Sequence, residues 1–167
     1  YDYNFHLMAA NGYIVFAPNR SGVPTFGQEW KDKINRDFGG QCMVDLKTAV
    51  DEISKEPFVD RNRIAAVGKN FGGYSVYWLA GNQPNKFKAL ISHSGIFHFE
   101  SWYGTTDELF SPNWDLGGSF HENDENISYK FSPHNFIHKW KTPMLITHGE
   151  NDFRIPISQS VEAFSAA

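Results

Sequence analysis

Short apolar runs recur along the chain and predict buried strands. They occupy residues 13–18, 64–67, 89–94 and 143–149, and each ends at, or is followed by, proline or glycine. Continuous apolar runs of this length are typical of parallel strands that are covered on both faces. The pattern therefore predicts four buried strands.

Helical spacing separates these runs. Residues 2–11 end before Gly12, which is a C-cap signal, and residues 43–53 carry apolar side chains three and four apart. Further helices are predicted at residues 74–81, near residues 106–110 and 133–140, and from Pro156 to the end of the sequence. Strands that alternate with helices predict an α/β fold, in which a mostly parallel sheet has helices on both faces.

The turn after the second predicted strand carries the candidate chemistry. Its spacing, Gly68-x-Asn70-x-Gly72-Gly73, is typical of the strand-turn-helix elbow that presents a nucleophile above a parallel sheet. Glycines fit there because β-carbons two positions on either side of the centre would strike neighbouring backbone. Serine is expected at the centre, but Asn70 holds it. Because asparagine tolerates positive φ, we expect the elbow to form without its usual nucleophile.

Composition and charge narrow the possible partners. The 167 residues are 41% hydrophobic and 20% charged, which predicts one globular domain. The net charge of −4, without a basic block, argues against nucleic acid and anionic membranes, and no apolar run approaches the ~20 residues of a membrane span. Cys42 is the only cysteine, and its helical context predicts a buried, inert thiol. His134 and His138 lie four residues apart, but no third ligand is evident, so we expect no metal and no cofactor.

Four stretches occur together in an informative order, at residues 17–22, 60–64, 68–74 and 142–152. As a set they resemble the catalytic domain of the prolyl oligopeptidase family of serine peptidases, which has the α/β-hydrolase fold. The dipeptidyl-peptidase and acylaminoacyl-peptidase branches are the most similar. The resemblance implies hydrolysis of a peptide substrate, often with release of an N-terminal dipeptide.

The resemblance also implies roles for residues at the strand ends. Asn70 holds the nucleophile position, and the N–H of Phe71 is one oxyanion donor, of a kind worth ~3–4 kcal/mol in the transition state. Asp152 matches the acid that orients a catalytic histidine, although an aspartate after a strand could also be a turn residue or an N-cap. Some family members place a tyrosine hydroxyl at the loop position of Phe26 as a second donor. Phe26 lacks that hydroxyl, so the donor is missing or is replaced by a backbone group.

Aromatic side chains follow the third predicted strand, where the family builds its apolar specificity pocket. Phe97, Trp102 and Tyr103 lie there, and Tyr74 belongs to the elbow helix. The resemblance implies that these side chains line a substrate pocket and select a hydrophobic residue before the cut. The alternatives are core packing for Tyr74 and plain lid packing for the other three.

Some parts of the family's catalytic domain have no counterpart in residues 1–167. The catalytic histidine should follow Asp152 after a helix, a strand and a loop, but a helix alone takes ~11 residues and the sequence ends at Ala167. His93, at a neighbouring strand exit, could approach Asn70 but is not the expected base. The upstream oxyanion strand and the β-propeller are also missing, so we expect a partial α/β-hydrolase domain, truncated at both ends. Because the upstream strand belongs between residues 13–18 and 64–67, the rest of a longer chain or a second copy should fill that gap.

Three functional hypotheses remain open. The first is a serine peptidase domain that is inactive in this form, because Asn70 replaces serine and the histidine is missing. The second is a non-catalytic module that still binds peptides. The third keeps the fold but hydrolyses small esters as a carboxylesterase.

Overall fold

The computed structural model describes residues 3–122 and 128–167, which form helices, three strands and two 3₁₀ helices. In chain order these are α1 Tyr3–Ala10, α2 Gln28–Asp32, α3 Gln41–Ile53, β1 Ala65–Lys69, α4 Phe71–Asn82, β2 Ala89–His93, α5 Phe99–Thr105, α6 Phe110–Leu116, η1 Ser128–Phe131, η2 Pro133–Lys139, β3 Met144–Thr147 and α7 Ser158–Ala166. The predicted helices at 2–11, 43–53 and 74–81 and the helix after Pro156 are confirmed within one to three residues at most ends. Asp2, where the first of them was predicted to start, lies outside the described residues.

The three strands form one parallel sheet in the order β1-β2-β3. Val67 pairs with Ile91, and Ile91 with Leu145, so equivalent positions of all three strands lie side by side. Because the strands are parallel, their carboxyl ends share one edge of the sheet. Ligand sites of open α/β sheets lie at that edge.

One face of this sheet is packed beneath α4. Leu90 of β2 is buried in a cluster with Val76 and Leu79 of α4, and Ala66 and Met144 pack against the same cluster from the neighbouring strands. A second cluster joins Tyr77 of α4 to Phe97 and to Ala163 of α7, and a third joins Tyr74 to α3 and α5. The fold is therefore α/β, with α4 at its centre.

The opposite face of the sheet is open. Its central row is Val67, Ile91 and Leu145, and Val67 and Leu145 are 52% and 56% exposed. None of the residues of α1 is buried. The prediction of helices on both faces therefore holds for one face only of the part of the chain that the structure describes.

Residues 13–18 do not form the predicted strand. The segment has no regular secondary structure, and Tyr13 and Phe16 are 69% and 47% exposed. A strand needs a neighbour to accept and donate its backbone hydrogen bonds, and the neighbour expected between this segment and β1 is not part of residues 3–122 and 128–167. In the part of the chain that the structure describes, the two segments are not paired with each other and β1 is an edge strand.

The aromatic segment after β2 differs from its prediction. Helices α5 and α6 flank residues 106–109 instead of including them. The Thr106 hydroxyl donates to the carbonyl of Arg154 at 2.8 Å and accepts from the N–H of Glu108 at 3.2 Å. These bonds compete with a helical turn at that point. The helix at 133–140 is confirmed as the 3₁₀ helix η2, and no helix among the described residues has the length and apolarity to cross a membrane.

Candidate active site

Asn70 lies in the turn between β1 and α4 with an unusual backbone conformation. Its φ is 54° and its ψ is −113°, outside the regions that side-chain-bearing residues normally occupy, at a cost of about 1–3 kcal/mol. Its N–H donates to the carbonyl of His93 at 3.0 Å, and its own carbonyl accepts from Tyr74 at 2.9 Å. The side chain is exposed and makes no capping hydrogen bond to α4. The turn therefore directs the side chain of residue 70 outward, as an elbow does.

Close backbone approaches explain two of the glycines around this turn. A β-carbon on Gly68 would lie 2.1 Å from the carbonyl oxygen of Gly72, and one on Gly73 would lie 2.7 Å from the Cα of Gly95. A β-carbon on Gly72, in contrast, would meet nothing within 4 Å. The expectation that both glycines two positions from the centre relieve a clash is therefore right for Gly68 and wrong for Gly72. Gly73 has that role, because it lets α4 approach the exit of β2.

Phe71 is the first residue of α4, so its N–H belongs to the amides that have no intrahelical acceptor. Its ring packs against Phe38 and Tyr74, with centroids 5.1 Å and 5.3 Å away. The Arg20 guanidinium lies 3.7 Å over the same ring, and burial lowers the pKa of Arg20. No sequence pattern predicts a role for Arg20, because only the fold brings a residue fifty positions away beside the elbow.

Asp152 follows β3 at the same sheet edge as Asn70. One carboxylate oxygen accepts the N–H of Ile155 at 2.9 Å, which is a turn-forming bond. The other oxygen lies 4.0 Å from Nε2 of His148, too far for a hydrogen bond. The turn role that the sequence left open is thus present, and one carboxylate oxygen remains for a further partner.

Two histidines lie near this edge, and both already have other partners. The side chain of His148 is buried, with Nδ1 2.7 Å from the Ser160 hydroxyl and Nε2 donating to the carbonyl of Ile155 at 2.6 Å. His93 lies on the open face of the sheet, with Nδ1 2.9 Å from the Thr147 hydroxyl. Within residues 3–122 and 128–167, no histidine ring makes a hydrogen bond to the side chain of Asn70 or Asp152.

The four predicted pocket residues lie in different surroundings. Tyr74 is fully buried, and its hydroxyl donates to the carbonyl of Phe131 at 3.3 Å. Burial raises the pKa of Tyr74 well above its ordinary value. Phe97 is buried in a different cluster, where it packs against Tyr77 and Trp140. Trp102 is also buried, and its indole N–H donates to the backbone carbonyl of Arg154.

These three side chains are therefore core residues in this structure, which corrects the pocket prediction for them. Tyr103 is half-buried, and its hydroxyl donates to Asn113 at 2.8 Å. Phe26 is exposed in its loop and packs edge-on against Trp30 at 5.6 Å. Of these five aromatic side chains, Tyr103 and Phe26 thus remain accessible.

A parallel sheet, a glycine-flanked elbow at the end of one strand and an aspartate after another define an α/β-hydrolase. The family model of the prolyl oligopeptidase family matches residues 1–167. The chain belongs to this family of serine peptidases.

Relatives with known names agree with this assignment. The chain is 54% identical to dipeptidyl-peptidase 5 of Porphyromonas gingivalis over 99% of its own length and 25% of that protein. It is 37% identical to dipeptidyl-peptidase 5 of Arthroderma otae, with 98% of this chain and 23% of the relative covered. The chain thus spans about a quarter of the length of these relatives.

Solved structures show the same fold. An acylaminoacyl peptidase in complex with Z-Gly-Gly-Phe-chloromethyl ketone superposes with a TM-score of 0.91 at 28% identity, over 99% of this chain and 27% of that chain. The uncomplexed acylaminoacyl peptidase of Pyrococcus horikoshii gives the same values. Dipeptidyl peptidase 4 of Porphyromonas gingivalis, at 23% identity and a TM-score of 0.82, shows the fold alone.

Proposed function

We propose that this chain is the elbow-bearing part of a peptidase that releases dipeptides or acylated residues from the N-terminus of peptides. The observation that carries the proposal is the backbone of Asn70, which adopts an elbow conformation, with its side chain exposed, although the side chain is not serine. The similarity to dipeptidyl-peptidase 5 supports the dipeptide class of product. Asp152, at the same sheet edge, supplies a carboxylate for a histidine.

A hydrophobic residue before the cut is part of the same proposal. The related acylaminoacyl peptidase forms a complex with a ligand that places phenylalanine next to its reactive group. Because Tyr74, Phe97 and Trp102 are buried here, the accessible apolar contact is left to Tyr103, to Phe26 and to groups outside the described residues. A serine peptidase has no nucleophile in an asparagine side chain, so we propose that the form with Asn70 is inactive.

Peptide binding without hydrolysis is the second candidate, and Asn70 favours it. The amide keeps the shape of the elbow while it removes the attacking oxygen. The N–H of Phe71 would still meet a substrate carbonyl, so a peptide would be held but not cut. Nothing particular to the structure favours a carboxylesterase over these two candidates.

The open face of the sheet leaves room for a further segment that would complete the sheet beside the elbow. We propose that the rest of a longer chain, or a second copy, covers the row Val67, Ile91 and Leu145 and pairs with β1. Exposed apolar side chains on both the sheet and residues 13–18 support this arrangement. So does the coverage of only a quarter of each relative.

The test compares Asn70→Ser with Asn70→Ala in the intact protein that contains this chain. For Asn70→Ser we expect labelling by a fluorophosphonate probe and hydrolysis of a dipeptidyl fluorogenic substrate, on the order of 10³-fold or more above Asn70→Ala. If Asn70→Ser remains inert while the unaltered protein binds the same peptide, the binding-module hypothesis replaces the peptidase. If neither variant reacts and no peptide binds, both proposals fail.

A further inference from the structure

A second group of chemistry-bearing side chains lies where the start of α5 meets η2. His98, Glu100 and His134 each offer one ligand atom, and these three atoms lie within 4.8 Å of one another. The two imidazole rings stand face to face, with centroids 3.9 Å apart and planes inclined by 34°. We propose that these residues bind a divalent transition metal ion and that Zn²⁺ fits them best.

The hydrogen bonds of His98 orient its ring for this task. Its Nδ1 lies 3.0 Å from a carboxylate oxygen of Glu162, and the other oxygen of Glu162 accepts the Ser101 hydroxyl at 2.5 Å. A carboxylate accepts a proton from Nδ1, which leaves the lone pair on Nε2. This carboxylate–histidine arrangement is the one that fixes the tautomer of metal-binding histidines and raises their basicity.

His134 is oriented in the same sense by the Ser132 hydroxyl. That oxygen accepts the N–H of Phe99 at 3.0 Å and donates its single proton to the carbonyl of Phe97 at 3.3 Å. With that proton on the side of Phe97, the 2.7 Å contact with Nδ1 of His134 is one in which the ring donates, and we assign His134 this tautomer as part of the proposal. Nε2 of His134 therefore also keeps its lone pair, and both rings present the same nitrogen as a ligand.

Glu100 supplies the third ligand and the clearest sign that a cation is expected. Its Oε2 is buried and has no hydrogen-bond partner among the described residues, yet it lies 3.0 Å from Nε2 of His98. The two atoms are close without being aligned as donor and acceptor. Two ligands of one tetrahedral zinc ion lie about 3.3 Å apart and direct their lone pairs at the ion instead of at each other.

The ligand set selects the class of metal. Two imidazoles and one carboxylate suit Zn²⁺ and its transition-metal neighbours, whereas Mg²⁺ and Ca²⁺ prefer oxygen ligands alone. The side chains of His98 and Glu100 are about one-third exposed, so an ion can reach them and keep a water molecule as its fourth ligand. Such an ion would fasten α5 to η2 directly, and to α7 through Glu162.

The experiment measures zinc binding by the intact protein that contains this chain, after treatment with a chelator. Calorimetric titration with ZnCl₂ should show one more equivalent bound by the parent than by His134→Ala or Glu100→Gln, or an affinity at that site at least 100-fold weaker in the variants. His138→Ala is the matched control, because His138 lies on the same 3₁₀ helix but outside the cluster, and it should bind like the parent. Glu162→Gln, which acts only through His98, should weaken binding about 10–100-fold.

Thermal melting separates loss of the ion from loss of the fold. Zinc should raise Tm for the parent and for His138→Ala, and should leave the Tm of His134→Ala and Glu100→Gln unchanged. If His134→Ala does not fold, Glu100→Gln decides the question, since it keeps the shape of the side chain. Equal zinc stoichiometry and affinity in the parent and in Glu100→Gln would overturn the site. So would a parent that binds no zinc.

Discussion

Leu90 and Ile91 are neighbours in β2, but they face different surroundings. Leu90 is 1% exposed beneath α4, whereas Ile91 lies in the open row between Val67 and Leu145, both of which are more than half exposed. The packed face holds α4, and with it the elbow at Asn70. The open face has apolar side chains but no cover within residues 3–122 and 128–167. The comparison shows that the described residues stabilise the turn by packing α4 on one face of the sheet, whereas they leave the other face uncovered.

Truncation of one side chain on each face of the sheet should give the largest difference in the free energy of unfolding. Leu90→Ala leaves a cavity in the packed face and should lower the free energy of unfolding by about 2–5 kcal/mol. Leu145→Ala removes an exposed side chain and should change it by less than about 0.5 kcal/mol in the chain alone. Urea denaturation measures both variants.

The same pair tests what covers the open face. In the intact protein, a covered Leu145 should make Leu145→Ala cost about 2 kcal/mol or more, close to the cost at Leu90. A small effect of Leu145→Ala in both settings would show that the face is open in the whole protein as well.

The glycines of the elbow give the next largest effect. Gly68→Ala places a β-carbon 2.1 Å from the carbonyl oxygen of Gly72, so we expect destabilisation by about 3 kcal/mol. Gly72→Ala is the matched control, because its β-carbon meets nothing within 4 Å. It should change stability by less than about 1 kcal/mol. Similar losses for the two variants would contradict the packing explanation of the elbow.

Asp45 of α3 is hydrogen-bonded to the loop that contains Ser21. Its substitution should have a smaller and pH-dependent effect on the free energy of unfolding. It accepts the Ser21 N–H at 2.7 Å and the Ser21 hydroxyl at 2.5 Å. Burial alone would raise the pKa of Asp45, but these bonds and one from Gln41 hold it below its ordinary value. Asp45→Asn should therefore cost about 1–2 kcal/mol at neutral pH.

The sign of the pH dependence follows from the lowered pKa. The stabilisation is complete above the unfolded pKa, about 3.9, and is lost as pH falls through the folded pKa. The difference between the parent and Asp45→Asn should therefore shrink below about pH 4. Asp51 lies on the same helix as Asp45 and forms a partly exposed ion pair with Lys86, so Asp51→Asn is the control and should cost less than about 1 kcal/mol.

The smallest expected effect is the reactivity of the Cys42 thiol. Burial raises the pKa of its thiol to about 11, so about one molecule in a thousand carries the thiolate at pH 8. We expect almost no reaction with a thiol reagent in the folded protein and full reaction after unfolding in urea. Rapid labelling of the folded protein would show that the packed side opens easily at α3.

Local patterns were sufficient for much of this fold. The elbow could be predicted because Gly68, Asn70 and Gly73 lie within six residues and their spacing reflects one turn. Strands β1, β2 and β3 could be predicted because each apolar run matches a strand with one face packed towards α4. Residues 13–18 look the same in sequence, but they form no strand, because strand formation depends on a neighbour that the pattern does not describe.

Other features depend on contacts between distant residues. Tyr74 was expected near substrate, but its burial follows from packing against Phe38 and Phe99. The pairing of His98 with His134 was missed because helical spacing pointed to His138 instead. In a 3₁₀ helix, with three residues per turn, positions four apart do not share a face, so the partner of His134 comes from another segment.

The backbone at Asn70 is set by Gly68, Gly73 and the strand exits, while its own side chain makes no capping bond. Shape and reactivity at this turn are thus encoded by different residues. A single codon change could silence or restore such an enzyme without remodelling its scaffold. Because the turn keeps its shape whatever side chain residue 70 carries, an engineered catalyst could place another reactive group there, such as the thiol of a cysteine.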